Sequence, residues 1–347
     1  MFPFFIKVNQ YLFYNFAASN QPYITMLNGH GDDSYRYGRK ITLNFSSNVY
    51  HHTSLAPLFR HLENCWEQVR SYPEPSPHAV ESQLAQAMGI SAESVCLTSG
   101  ATEAIYLIAQ AYRESRSAIL MPTFSEYADA CRLHAHEIVP FYTLDNLPSG
   151  VRMVWLCNPN NPTGEIREVM HLRKLVKDHP QCLFIIDQSY EAFTEQEVLE
   201  VTESLESSNL LLIHSLTKRF AVPGLRIGYI TGNPLLIRHL RTFRMPWSVN
   251  ALAVEAGRYL LRNAHRFPLH LHQLLEERER VATSLVKMGG LEVWPSDTHF
   301  MLVRIRNGRA AALKAFLVEQ YGLLIRDASN FEGLDDSYFR VAVQTPA

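Results

Sequence analysis

Lys218 closes a polar turn that follows the hydrophobic run LLLIH (210–214), with Ser215 and Thr217 just before it and Arg226 beyond a Pro223-Gly224 break. An amine at the end of a hydrophobic strand, rather than on a charged helix, is placed where loss of water lowers its pKa. Such an amine can attack an aldehyde and form a Schiff base. Ser215 and Arg226, one on each side, suit the oxygens of a phosphate. The three residue types read as a seat for a phosphorylated aldehyde, pyridoxal phosphate; the plain alternative is a loop of solvated cations. A second clue is Asp187, which ends the run CLFIID and is followed by QSYEAF with Tyr190. A carboxylate ending a buried strand is costly without a cationic partner, and a protonated pyridine nitrogen is such a partner. Asp187 and Lys218 thus read as projecting from the carboxyl ends of neighbouring strands.

Weaker signals lie on either side. Ser99, Gly100, Ala101 and Thr102 open a helical run, and a small-residue turn there leaves backbone N–H groups free for a phosphate; Ser99 with Thr102 is equally an ordinary cap. Phe124 could lie flat on a heteroaromatic ring or simply fill core. NPNNPTG (158–164), with Asn161 inside it, is a dense turn signal after an apolar strand, the place where open α/β sheets bind ligands. His30 between Gly29 and Gly31, Asn48 at a strand end and Tyr72 in a proline-rich connector are ambiguous alone. Arg326 and Arg340, near strand ends beside Asn330, form an anion site or surface ion pairs.

The elements that must hold these groups alternate helix and strand from Val80 to Thr231, the pattern of a mostly parallel sheet with helices on both faces. One strand is expected to carry Arg226. A helix is expected over residues 55–69, from the spacing of Leu58, Leu62, Cys65, Trp66 and Val69. Beyond Thr231, helices at 234–243, 251–262 and 269–288 lead into a smaller α+β unit with a strand in THFMLVRI.

The totals bound the answer. A chain of 347 residues with 47% hydrophobic and 19% charged residues is globular. A formal net charge of −2 gives no reason to expect a nucleic-acid or membrane surface, so the partner is a small molecule. Five cysteines without C-x-x-C spacing read as buried free thiols in a reducing cytosol. His134 and His136 beside Cys131, and His270 with His272, lack the spacing of a structural zinc site, so no metal is expected. No apolar run reaches the length of a membrane helix. Residues 1–25, rich in Phe and Tyr, read as an extension ahead of a start at Met26, an arm packing on a partner subunit being the alternative.

From Met26 onward the chain resembles the aminotransferase class I/II family of fold-type I pyridoxal-phosphate enzymes. The resemblance is carried by NPNNPTG, the strand ending in Asp187 with Tyr190 after it, and SLTKRFAVPGLRIGY, in the family's order and spacing. The HG of NGHGDD, NFSSN, MPWSVNALA and LLIRDASNFEGLDDSYFRVA resemble the L-threonine-O-3-phosphate decarboxylase branch and, less closely, the histidinol-phosphate aminotransferase branch. The family implies an α/β fold: a mostly parallel seven-stranded sheet in a large cofactor domain (49–247), a smaller α+β C-terminal domain (248–347), and a segment (26–48) joining the small domain to the site. It implies that Lys218 holds pyridoxal 5′-phosphate covalently, Asp187 pairs with the ring nitrogen, Tyr190 and Asn161 contact the 3′-oxygen, and Phe124 stacks on the ring. Gly100, Ala101, Thr102, Ser215 and Arg226 would surround the cofactor phosphate, with Tyr72 reaching it from the other subunit of a homodimer. His30, Gly31, Asn48, Asn161, Arg326 and Arg340 would take the phosphate and carboxylate of a small phosphorylated amino-acid substrate. Three departures stand out: Gln188 where many relatives carry Glu, no N-P-x-G turn after Asn48, and a chain ending at Ala347 where the resemblance leads one to expect a further helix.

Overall fold

The computed structural model describes residues 32–344. After a two-residue strand, β1 (Leu43–Asn44), the chain builds a seven-stranded sheet from β2 (Val95–Thr98), β3 (Arg116–Leu120), β4 (Glu137–Phe141), β5 (Met153–Cys157), β6 (Leu183–Asp187), β7 (Leu210–Ser215) and β8 (Gly228–Thr231). Their spatial order is β2-β8-β7-β6-β5-β3-β4. Only β8 runs antiparallel to its neighbours, and the remaining pairs are parallel. Every residue of β5 and β6 is buried, which is why these strands read as unbroken apolar runs. Their alternation nevertheless separates two cores. Trp155, Ile185, Leu211 and Ile213 pack with Ile105 and Ile108 of the helix Gly100–Ala111 and with Tyr127 of the helix Glu126–Leu133. Val154, Leu156, Ile186 and Leu212 pack on the opposite face against Leu172 and Val176 of the helix Val169–Asp178.

The register brings six loop ends to one edge. Thr98 pairs with Gly228, which pairs with Ser215; Asp187 lies beside Ile213, and Cys157 beside Asp187. The segments after β2, β3, β5, β6 and β7, and the one entering β8, therefore open onto the same rim. The chain steps outward from β3 to β4 and then crosses back past β3 to β5, so the switch point of the sheet lies between β3 and β5.

Beyond β8 come the helices Pro234–Arg241, Ala251–Arg262 and Leu271–Lys287. The second is capped by Asn250, whose side chain accepts from Ala253 N. A four-stranded antiparallel sheet follows, in the order β12-β13-β10-β9, from β9 (Leu291–Val293), β10 (Phe300–Ile305), β12 (Arg326–Asp327) and β13 (Tyr338–Ala342). β11 (Leu323–Leu324) pairs with β1 in parallel. Phe45 stitches the N-terminal strap to both, donating its N–H to Leu324 O and accepting from Ala342 N, each at 2.8 Å.

Three local expectations are corrected. Arg226 is not on a strand: it stands at φ 58° in the left-handed region, two residues before β8 begins. The helix expected over 55–69 breaks after Glu63 and resumes as the 3₁₀ turn Trp66–Arg70, with Cys65 in the gap. The polar turn around Lys218 is the short helix Leu216–Arg219. Among the described residues, no helix is long and apolar enough to cross a membrane.

Two buried polar groups hold the framework. Glu81, fully buried in the helix His78–Met88, accepts from Arg244 Nη1 at 2.6 Å, Arg241 Nη2 at 3.0 Å and Leu97 N at 3.0 Å, tying β2 to the segment after β8. His299, at the mouth of β10, donates Nε2–H to Asn48 O at 3.2 Å and packs on Phe193, ring centroids 4.1 Å apart. Burial pushes His299 from 6.5 down to about 3. Above pH 6.5 the ring is neutral in folded and unfolded chains alike; as the pH falls from there towards 3, only the unfolded chain takes up the proton, so stability is lost across that window. His299→Gln should flatten the acid limb of urea-unfolding curves by up to about 1.4 kcal/mol per pH unit; an unchanged slope would refute the assignment. Glu81→Gln leaves buried Arg244 without its charge partner and should lower stability by about 3–5 kcal/mol in the same assay, whereas a loss under about 1 kcal/mol would place the pair among weak surface bridges.

Candidate active site

Asp187 is 4% exposed at the end of β6. Tyr127 Oη donates to its Oδ2 at 2.7 Å and the Ser189 N–H to its Oδ1 at 2.8 Å. Burial raises the Asp187 pKa, while the Ser189 and Tyr127 hydrogen bonds pull it back down. Burial and the adjacent Asp187 charge hold the Tyr127 hydroxyl well above the ordinary tyrosine value, so it stays protonated and can donate. Tyr127 itself was not singled out by sequence. Its position in an amphipathic helix marks only a core residue, and its contact with Asp187 spans 60 positions.

Lys218 lies one turn past the end of β7, its Nζ 5.9 Å from the centre of the Tyr190 ring. Tyr190 is buried beside Phe300, and its hydroxyl accepts from Asn48 Nδ2 at 3.2 Å. Asn48 is thus held at both ends, by His299 on its carbonyl and by Tyr190 on its amide, while its buried Oδ1 has no hydrogen-bond partner among the described residues.

The other side of the rim is shaped for an anion. Gly100 stands at φ +81°, and a Cβ there would lie 2.8 Å from Arg226 Nη2, so the guanidinium rests directly on the glycine. A Cβ at Gly228 would meet Ala101 N at 2.7 Å, which presses the start of β8 against the first turn of the helix. Ser215 Oγ is hydrogen-bonded to Thr217 Oγ1 at 2.7 Å. Gly100, Ala101, Thr102, Ser215 and Arg226 therefore meet at one corner, by the register that joins β2, β8 and β7. Ser99 makes no side-chain cap to the helix; its N–H is taken by the Glu103 carboxylate, a residue without any distinguishing sequence signal. Phe124 meets Tyr127 edge to face at 5.9 Å.

In the NPNNPTG loop, Asn160 does the anchoring, donating Nδ2 to Pro122 O and accepting from Thr123 Oγ1, both at 2.9 Å. Its neighbour Asn161 turns to the small sheet and accepts from Arg340 Nη1 at 2.5 Å. Arg340 also donates Nη2 to Ser46 O at 2.6 Å. It is 4% exposed, forms no ion pair among the described residues, and its Nε has no hydrogen-bond partner. Arg340 sits inside β13 rather than at its end, directly across from Arg326, which is 7% exposed and donates to Asn330 Oδ1 at 2.8 Å. Burial lowers both guanidinium pKa values, that of Arg340 to about 10.

Tyr72 is 85% exposed and packs on Trp247 with ring centroids 5.2 Å apart; among the described residues it makes no contact with this cluster. His30 and Gly31 lie outside the described residues. The groups present fit pyridoxal 5′-phosphate on their own chemistry. They offer a lysine beside a buried tyrosine, a dry carboxylate for a ring nitrogen, a glycine–arginine corner for a phosphate and an unpartnered Asn48 Oδ1.

Comparison with known proteins agrees. The structure superposes on the L-threonine-O-3-phosphate decarboxylase of Porphyromonas gingivalis with a TM-score of 0.85 and 39% identity, covering 88% of this chain and 95% of that one. It superposes on the histidinol-phosphate aminotransferase of Clostridium acetobutylicum with a TM-score of 0.80 and 26% identity, covering 87% and 94%. The threonine-phosphate decarboxylase of Salmonella typhimurium is 28% identical over 321 residues, 88% of this chain and 87% of its own. The sequence pattern of aminotransferase class I and II matches residues 40–347. The chain belongs to that family, the fold-type I enzymes whose cofactor is pyridoxal 5′-phosphate.

Proposed function

We propose that this protein decarboxylates L-threonine O-3-phosphate to (R)-1-amino-2-propanol O-phosphate, a reaction that serves cobalamin assembly. The observation that carries the reading is the Arg326–Arg340 pair. Two like charges directly across an antiparallel ladder repel, and taking them out of water adds a further cost. A substrate bearing both a phosphate and a carboxylate adds negative charge beside the two guanidiniums and acceptors for Arg340 Nε, which has no hydrogen-bond partner among the described residues. The identity of 39% to a threonine-phosphate decarboxylase, against 26% to a histidinol-phosphate aminotransferase, favours the same side.

Bound pyridoxal 5′-phosphate supplies the electron sink for the pair left when a bond at the substrate Cα breaks. Asp187, kept dry and partly offset by Tyr127 and Ser189, holds the proton on the ring nitrogen. Tyr190 and Asn161 would hold the 3′-oxygen, Phe124 would lie on the ring, and Gly100, Ala101, Thr102, Ser215 and Arg226 would hold the phosphate. Arg326, Arg340, Asn48, His30 and Gly31 clamp the substrate and decide which Cα bond faces the ring. With the carboxylate so placed for loss as CO2, Lys218 Nζ would return the proton at Cα. The enzyme works in the cytoplasm as a homodimer in which Tyr72 completes the partner's phosphate corner. The same apparatus with Cα–H facing the ring would make an aminotransferase of histidinol phosphate or a related amino donor. The histidinol-phosphate aminotransferase relatives keep that reading in view.

O-Phospho-L-threonine should release stoichiometric CO2. Glutamate formed from histidinol phosphate and 2-oxoglutarate, without CO2, would install the aminotransferase in its place. Lys218→Ala should abolish turnover and the visible absorbance of lysine-bound cofactor while leaving the far-UV circular dichroism intact. Asp187→Asn should lower kcat by about 10²–10⁴-fold; retained activity in either variant would end the assignment of those roles.

A further inference from the structure

We propose that His61, Cys65 and Glu255 form a binding site for a thiophilic divalent cation, Zn2+. Among the described residues this is the one group of three or more His, Cys, Asp or Glu side chains whose ligand atoms converge, all within 4.8 Å of one another. His61 Nε2 lies 3.8 Å from Cys65 Sγ and 3.6 Å from Glu255 Oε2. With Zn–S near 2.3 Å and Zn–N and Zn–O near 2.0–2.2 Å, the edges of a tetrahedron should measure about 3.4–3.6 Å. The two His61 edges are within a few tenths of an ångström of that, and the third, from Cys65 to Glu255, lies within 4.8 Å, so a metal would draw the Glu255 carboxylate and the Cys65 thiol together by at most about 1 Å.

The surroundings suit a three-ligand site. The His61 ring stacks on Tyr259 at 4.5 Å and 22°, which fixes its plane and aims Nε2 at the other two ligands. Glu255 divides its oxygens: Oε1 accepts from Arg258 Nη1 at 3.0 Å, and Oε2 faces His61. Such an outer partner orients a ligating carboxylate. Cys65 is buried in the gap after the helix Ala56–Glu63, whereas the side chains of His61 and Glu255 keep 31% and 12% exposure, leaving solvent access for a water as fourth ligand. On binding, Cys65 gives its thiol proton to solvent and coordinates as thiolate. Leu58 and Leu62 of the first helix and Ala256 and Leu260 of the helix Ala251–Arg262 share one core beneath the site, so the metal would staple two elements already packed together.

The test is a titration of the holoenzyme with Co2+, followed by thiolate-to-cobalt charge-transfer absorption and displaced by Zn2+. The expected result is one equivalent bound with that band present, the band lost in Cys65→Ser, and Kd raised about 100-fold or more in Glu255→Gln. Zn2+ at about 100 times its Kd should raise the folded-to-unfolded ratio about 100-fold in the parent chain and not in the variants. Glu255→Gln keeps the packing volume, so a folding defect in Cys65→Ser leaves the question answerable. No charge-transfer band, a band that survives Cys65→Ser, or equal Zn2+ stabilisation of parent and variants would overturn the proposal.

Discussion

A carboxylate at the end of a strand buried on both faces is the constraint from which the site follows. In dry surroundings Asp187 would take up a proton, and what opposes this is the pair of neutral donors, Tyr127 Oη and the Ser189 N–H. Keeping that balance requires the strand to be central, because an edge strand would admit water and weaken every electrostatic interaction of Asp187. It also requires the helix bearing Tyr127 to cover that face, which the alternation of Trp155, Ile185 and Ile213 arranges. Lys218 then has one place to stand, past the end of the adjacent strand and over Tyr190.

Opposite this carboxylate the small sheet presents cations. Arg326 and Arg340 are cross-strand partners, and their mutual repulsion is relieved in part by the Asp33 charge near Arg326 and the Asp32 charge near Arg340. Asp33 is in turn held by Lys314 at 2.7 Å. The large sheet's rim thus carries the Asp187 carboxylate beside Lys218 and Arg226, and the small sheet carries the paired arginines.

Much of this was legible in the residues, and the reasons are local. The strands ending in Cys157, Asp187 and Ser215 are apolar runs bounded by turn chemistry, so their existence and the chemistry at their ends could be read directly. The family resemblance supplied the seven-stranded sheet, which the structure contains. Geometry that depends on torsion angles could not be read. The left-handed backbone of Arg226 hides behind a sequence that looks like the start of a strand, and the helix break before Cys65 hides behind a continuous apolar spacing. Contacts between distant positions were invisible for a different reason: Tyr127 with Asp187 and His299 with Asn48 depend on the fold, and no single-residue preference encodes them.

Those distant contacts also tie the two sheets together. Arg340 reaches Asn161 in the loop after β5, and His299 holds Asn48, which holds Tyr190. An anion settling on Arg340 would therefore act on Asn161 through a hydrogen bond rather than through space. Because Asp187 and Lys218 serve any bond that faces the ring, the choice between losing CO2 and losing a proton must reside in the groups that set substrate orientation. On the proposed function those lie on the small sheet and its strap, elements that can change residue by residue without disturbing the buried strands of the large sheet.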